Sequence, residues 1–168
     1  MEFNLLKKSE GNQEILIIFT YSDIKKYKSG EVIPFSAQFN YGKSDPFLLD
    51  IIESGEISGN KGEQVLLHTL MIDDFSYKSS HLNDGLKPKR ILFYGLGDHE
   101  KVLADDVREA SALISRRAKS LKIQEVSVIV ESIRNIDIPV AVSSVVEGFA
   151  LGSYKFEEFK SSGKNINN

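Results

Sequence analysis

Four short stretches of this 168-residue chain are apolar at nearly every position: Glu14–Phe19, Val65–Met71, Arg90–Tyr94 and Glu125–Val130. They are rich in branched aliphatic side chains, and continuous rather than alternating hydrophobicity predicts strands covered on both faces. From Ala104 to Leu121 the period changes. Val107, Ala110, Ile114, Ala118 and Leu121 recur at helical spacing, with Arg108, Glu109, Arg116, Arg117 and Lys119 mostly off that stripe. An amphipathic helix is predicted there, and its acidic start, Asp105-Asp106, and basic end suit the helix dipole. A second long helix is predicted from near Asp137 to about Phe156, with Val142, Val145, Phe149, Gly152 and Phe156 in phase. Gly148 and Gly152 lower its helix propensity, which implies that backbone packs closely on something; the sheet is the expected neighbour.

A shorter helix is predicted from Ser44-Asp45-Pro46, with a capping side chain and a proline at its start and Gly55 at its end. Residues 20–44 read as loop with room for one short strand, and residues 53–63 as a glycine-punctuated turn region. The order is then strand, helix, strand, strand, helix, strand, helix. It predicts an α/β fold, a three-layer α/β/α sandwich with a mixed sheet, because no helix separates the second strand from the third. The domain is expected to occupy residues 1–160, and the polar stretch 161–168 to be a tail or the start of an interdomain linker.

Composition narrows the function. With 41% hydrophobic and 27% charged residues the chain has the material for an ordinary core. The 21 basic residues are outnumbered by 24 acidic ones, which argues against nucleic acid as a partner, since that binding draws on Lys and Arg at phosphates. The basic clusters at Lys25–Lys28, Lys87–Arg90 and Arg116–Lys122 read as solvated faces, and a nucleic-acid contact through Arg116, Arg117, Lys119 and Lys122 is the least favoured reading. Zero cysteines exclude thiolate chemistry and Cys-ligated metals. No run approaches the ~20 apolar residues that span a bilayer. A cytoplasmic location and no membrane partner are expected.

Candidate chemistry is sparse. Gly95-Leu96-Gly97 follows a strand and precedes a helix, where a phosphate-cradling loop would sit. The remainder of that fingerprint is missing, because Asp98, His99 and Glu100 follow and the nearest acid at the end of a later strand is Glu131. His68, His81 and His99 do not share a helix face, and His68 reads as a core residue. Asp73-Asp74 and Asp105-Asp106 read as capping devices rather than metal ligands. No Gly-x-Ser-x-Gly elbow is present. Residue chemistry therefore predicts no catalytic, cofactor-binding or metal-binding residues in this chain.

Three segments together resemble the amino-terminal domain of the leucyl (cytosol) aminopeptidase family, the two-metal exopeptidases. They are Ile52–Glu63, a glycine-rich lead into a strand; Gly85–Gly97, a strand and glycine turn; and Val146–Lys160, a domain-closing helix. The resemblance implies a macro-domain-like fold. It also implies that the two divalent metals, zinc or manganese, and the catalytic Lys and Arg belong to a larger carboxy-terminal domain. The Asp-Thr/Ser-Gly-Gly and Asn-Thr-Asp/Glu-x-Glu-Gly-Arg stretches that carry them do not occur here. On this reading the domain is noncatalytic. Its partners are its own catalytic domain and neighbouring subunits of a homo-hexamer, where it contributes to architecture and active-site access. The alternative is a small-molecule binding module of macro-domain type that takes an ADP-ribose-like nucleotide at Gly95–Gly97.

Overall fold

The computed structural model describes residues 13–22, 54–69 and 88–154. Four strands, β1 (Ile15–Thr20), β2 (Gln64–His68), β3 (Arg90–Gly95) and β4 (Val126–Val128), form one sheet in the order β2-β3-β1-β4. β1 runs parallel to β3 and β4, pairing Ile17 with Leu92 and with Val128. β2 runs antiparallel to β3, pairing Leu66 with Leu92. The sheet is therefore mixed, and its antiparallel pair joins the two strands between which the sequence predicts no helix.

Helices α1 (Ala104–Ser120) and α2 (Ile138–Ser153) cover one face of this sheet. On that face Ile15, Ile17 and Phe19 of β1 and Leu92 and Tyr94 of β3 meet Val107, Ala110 and Ile114 of α1 and Ala141, Val145 and Phe149 of α2. On the other face Leu16, Ile18, Ile91 and Phe93 are equally inaccessible. The central strands are thus apolar without interruption from Ile15 to Phe19 and from Ile91 to Tyr94 for the physical reason anticipated, burial from two sides. The helix predicted at Ser44–Gly55 lies, apart from its end, outside the described residues, as do most of 20–44 and all of 161–168. No helix among the described residues is long and apolar enough to cross a membrane.

The helix ends follow local chemistry. At the start of α1 the Asp106 carboxylate accepts the Leu103 N–H at 2.8 Å, one half of a capping box. At its end Lys122 takes a left-handed φ of 57°, while the Lys122 and Ile123 amides donate to the Lys119 and Ala118 carbonyls. That is the Schellman arrangement, with lysine where glycine is usual. Leu121, placed on the apolar stripe by its spacing, is the C-cap residue immediately before this reversal and is 42% exposed.

Two expectations are corrected here. Gly148 and Gly152 pack on α1, not on the sheet: a Cβ at Gly148 would stand 2.4 Å from the Arg108 carbonyl oxygen, and one at Gly152 would stand 2.3 Å from that of Ala112. Gly148 faces Arg108 and Ser111 while Gly152 faces Ala112 and Ser115, so the two helices run in the same direction. The last strand is also shorter than its apolar run. β4 stops at Val128 and the chain turns through Val130–Ser132, which contains Glu131. The Ser132 hydroxyl then accepts the Phe19 N–H at 3.1 Å, taking the place of the next backbone acceptor on the ladder.

Candidate functional site

The Gly95-Leu96-Gly97 turn sits where β3 leaves the sheet, the place at which parallel strands offer ligands a crevice. Its amides are already committed. Gly95 N–H donates to the Glu63 carbonyl at 2.9 Å, Leu96 N–H to Thr20 at 2.8 Å and Gly97 N–H to Gly59 at 3.0 Å. The glycines serve close backbone approach, since a Cβ at Gly95 would stand 2.0 Å from the Asn60 carbonyl oxygen and Gly97 has a φ of 85°. A single 3-10 turn, His99–Lys101, precedes α1. The phosphate-binding reading is therefore disfavoured: the three amides of the Gly95-Leu96-Gly97 turn are occupied by the chain's own carbonyls.

The turn that closes over Gly95 is itself clamped. The Glu63 carboxylate accepts from the Ser58 N–H at 2.8 Å, the Ser58 hydroxyl at 2.7 Å and the Gly59 N–H at 2.6 Å. Lys61, on the same turn, reaches Asp106 of α1 at 2.6 Å. Partial burial raises the Asp106 pKa, but the Lys61 ammonium and the Leu103 N–H together outweigh it and hold the group below its usual range. The Lys61 pKa is raised by the hydrogen bond it donates to that carboxylate and by the carboxylate's charge.

On the opposite flank Tyr21, buried at the end of β1, donates its hydroxyl to the Ser132 carbonyl at 2.8 Å and accepts the Arg134 N–H at 2.6 Å. The His99 ring meets the Tyr21 ring edge-on, centroids 6.3 Å apart. This Tyr21–Ser132 joint was missed in the sequence, where the residues stand 111 positions apart and carry no motif. The Glu63 clamp left a faint signal, an acid directly after a Ser-Gly-Asn-Lys-Gly turn.

The remaining predicted positions do not converge. His68 is exposed at the end of β2 rather than in the core, because β2 flanks the described sheet. His81 and Asp73-Asp74 lie outside the described residues. Arg108 bridges Asp105 and Glu147 across the two helices, Lys101 pairs with Asp98 at 2.6 Å, and Arg117 donates to Gln64 at 2.6 Å. Glu14 accepts the Gln124 and Glu125 amides, which keeps its carboxyl below the ordinary value.

Two-metal hydrolysis needs several carboxylates converging on ions roughly 4 Å apart. Among the described residues no three His, Asp or Glu side chains gather around one point. Asp98, Asp105, Asp106 and Glu147 are instead each held by a cation of the chain, and Glu14 and Glu63 by backbone amides. The described residues do not fit such a centre.

The class these features define is an α/β domain whose strand-end turns are closed by the chain's own hydrogen bonds. The profile of the cytosol aminopeptidase family, N-terminal domain, matches residues 17–163, and the chain belongs to that family. A probable cytosol aminopeptidase of Alkaliphilus metalliredigens is 26% identical over 168 residues, covering 98% of this chain and 30% of that protein. One from Roseiflexus castenholzii is 28% identical over 112 residues, covering 67% of this chain and 20% of its own length. Among solved structures, a mutant of tomato leucine aminopeptidase aligns with a TM-score of 0.59 at 19% identity, over 92% of this chain and 28% of that one. At that identity the likeness is one of fold. The chain spans less than a third of the length of these relatives.

Proposed function

We propose that this chain is a noncatalytic accessory domain of a two-metal leucyl aminopeptidase that removes amino-terminal residues from peptides in the cytoplasm. The observation that carries the proposal is the match of residues 17–163 to the N-terminal domain of the family rather than to its catalytic part. The accessory role is physical: a domain whose turns are locked to one another is a stiff body, suited to bracing subunits of a homo-hexamer and bordering the path to their active sites. The divalent metals and the groups that cleave the peptide belong, on this reading, to the catalytic domain.

The chain alone and the full-length aminopeptidase are assayed side by side on leucine p-nitroanilide with manganese or zinc. The expected result is turnover by the full-length protein and none by the chain beyond the metal blank. Comparable rates would end the noncatalytic reading. Sedimentation of the full-length protein as a monomer would end the assembly role.

A further inference from the structure

The sixteen residues of α2 contain one ionisable side chain, Glu147, and that carboxylate is bound by Arg108 of α1. A helix apolar on all sides is normally one that is covered on all sides. One side of α2 meets α1 and the sheet through Ala141, Val145, Gly148, Phe149 and Gly152. The other, at helical spacing, presents Val140, Ser143, Glu147 and Leu151 and leads to Tyr154 just past the helix end. Val140 is 42% exposed, Leu151 65% and Tyr154 68% within the whole chain. The charge this face carries, the half-exposed Glu147 carboxylate, is neutralised by Arg108.

We infer that the outer face of α2 docks the catalytic region of the same polypeptide through an uncharged apolar surface of that region. The inference rests on the proposed function above. Two observations select this occupant over a second copy of the chain. First, sixteen residues rise ~24 Å, so a strip roughly 10 Å wide offers about 240 Å² per side, well short of the ~800 Å² per partner of a stable complex between separate molecules. Such a strip suffices when covalent linkage supplies an effective concentration on the order of millimolar. Second, this is an N-terminal domain, and the Alkaliphilus relative has 70% of its length outside the match, a length of polypeptide that supplies the covalently linked occupant.

The absence of cysteine in the chain makes the test direct. Leu151→Cys and, separately, Val140→Cys are introduced into the 168-residue chain and into the full-length protein. Maleimide labelling is followed by peptide mass mapping and normalised to Leu121→Cys at the end of α1. Exposed positions tolerate the change, so the domain keeps its fold. Labelling of both α2 positions is expected to slow by at least about tenfold in the full-length protein, the signature of a contact that must open first, and to do so at every protein concentration. Equal labelling in the two proteins overturns the inference. Protection that disappears on dilution, or when the assembly is dissociated into subunits, assigns the face to a second copy and also overturns it. A full-length protein that cleaves leucine p-nitroanilide yet labels freely leaves the proposed function standing, whereas one without peptidase activity removes that reading instead.

Discussion

Gly148→Ala places two ordinary rules in opposition. Alanine is favoured over glycine inside a helix by about 1 kcal/mol, and on propensity alone the variant gains stability. The structure puts the new methyl 2.4 Å from the Arg108 carbonyl oxygen and 2.5 Å from the Ser111 Cβ. Neither neighbour is the free end of a flexible side chain, so the helices must separate. Overpacking of this kind costs typically ~1–3 kcal/mol, and the backbone contact places this site toward the upper end. The net effect is a loss of about 1–2 kcal/mol, which for a chain of this size lowers the melting temperature by roughly 2–8 °C. Thermal unfolding followed by circular dichroism at 222 nm (the ordinary helix band) measures it. Ala150→Gly, two residues away on the exposed side, is the control and should lose about 1 kcal/mol from propensity alone. Propensity by itself predicts opposite signs for the pair; the packing argument predicts that both fall. A rise in the melting temperature of Gly148→Ala refutes the close approach of α1 and α2.

Tyr21→Phe removes a hydroxyl that serves the Ser132 carbonyl and the Arg134 amide, and stranding such buried groups costs about 1–3 kcal/mol; an unchanged urea midpoint would contradict this joint. The Asp106 carboxyl is held below its ordinary value in the folded chain, so its contribution is fully present above the unfolded carboxylate range and is lost as pH falls through the folded value. Asp106→Asn should therefore destabilise the domain at neutral pH, with the gap to the parent closing as the pH falls below the ordinary carboxylate range. Lys61 is raised, so its side of the pair is lost only when pH climbs through the lysine range. Denaturant titrations at several pH values test this, and a gap that widens in acid rejects it.

Much of the core was legible from periodicity. β1 and β3 are apolar at consecutive positions because each has two covered faces, and Val107, Ala110, Ile114 and Ala118 lie on the α1 face that meets the sheet. The mixed sheet followed from the lack of a predicted helix between the second and third strands. What periodicity could not supply was the identity of the neighbour. Gly148 and Gly152 announced a close approach, but only the parallel placement of two helices made Arg108 and Ala112 the atoms approached. Likewise, the apolar run through Val130 does not reveal that Ser132 displaces a ladder bond of β1.

The candidate site divides in the same way. That Gly95 and Gly97 mark a turn could be read from residue types and spacing. That the three amides of the turn are spent on Glu63, Thr20 and Gly59 could not, because those acceptors come from two other segments of the chain.

By itself the sequence determined which positions are driven out of water and with what local period, since hydrophobic burial and backbone geometry act on each segment independently. The tertiary structure alone decided which carbonyl meets which amide and which helix face is left without a cover. Those outcomes depend on contacts between residues tens of positions apart, and their energies exist only once the chain has closed on itself.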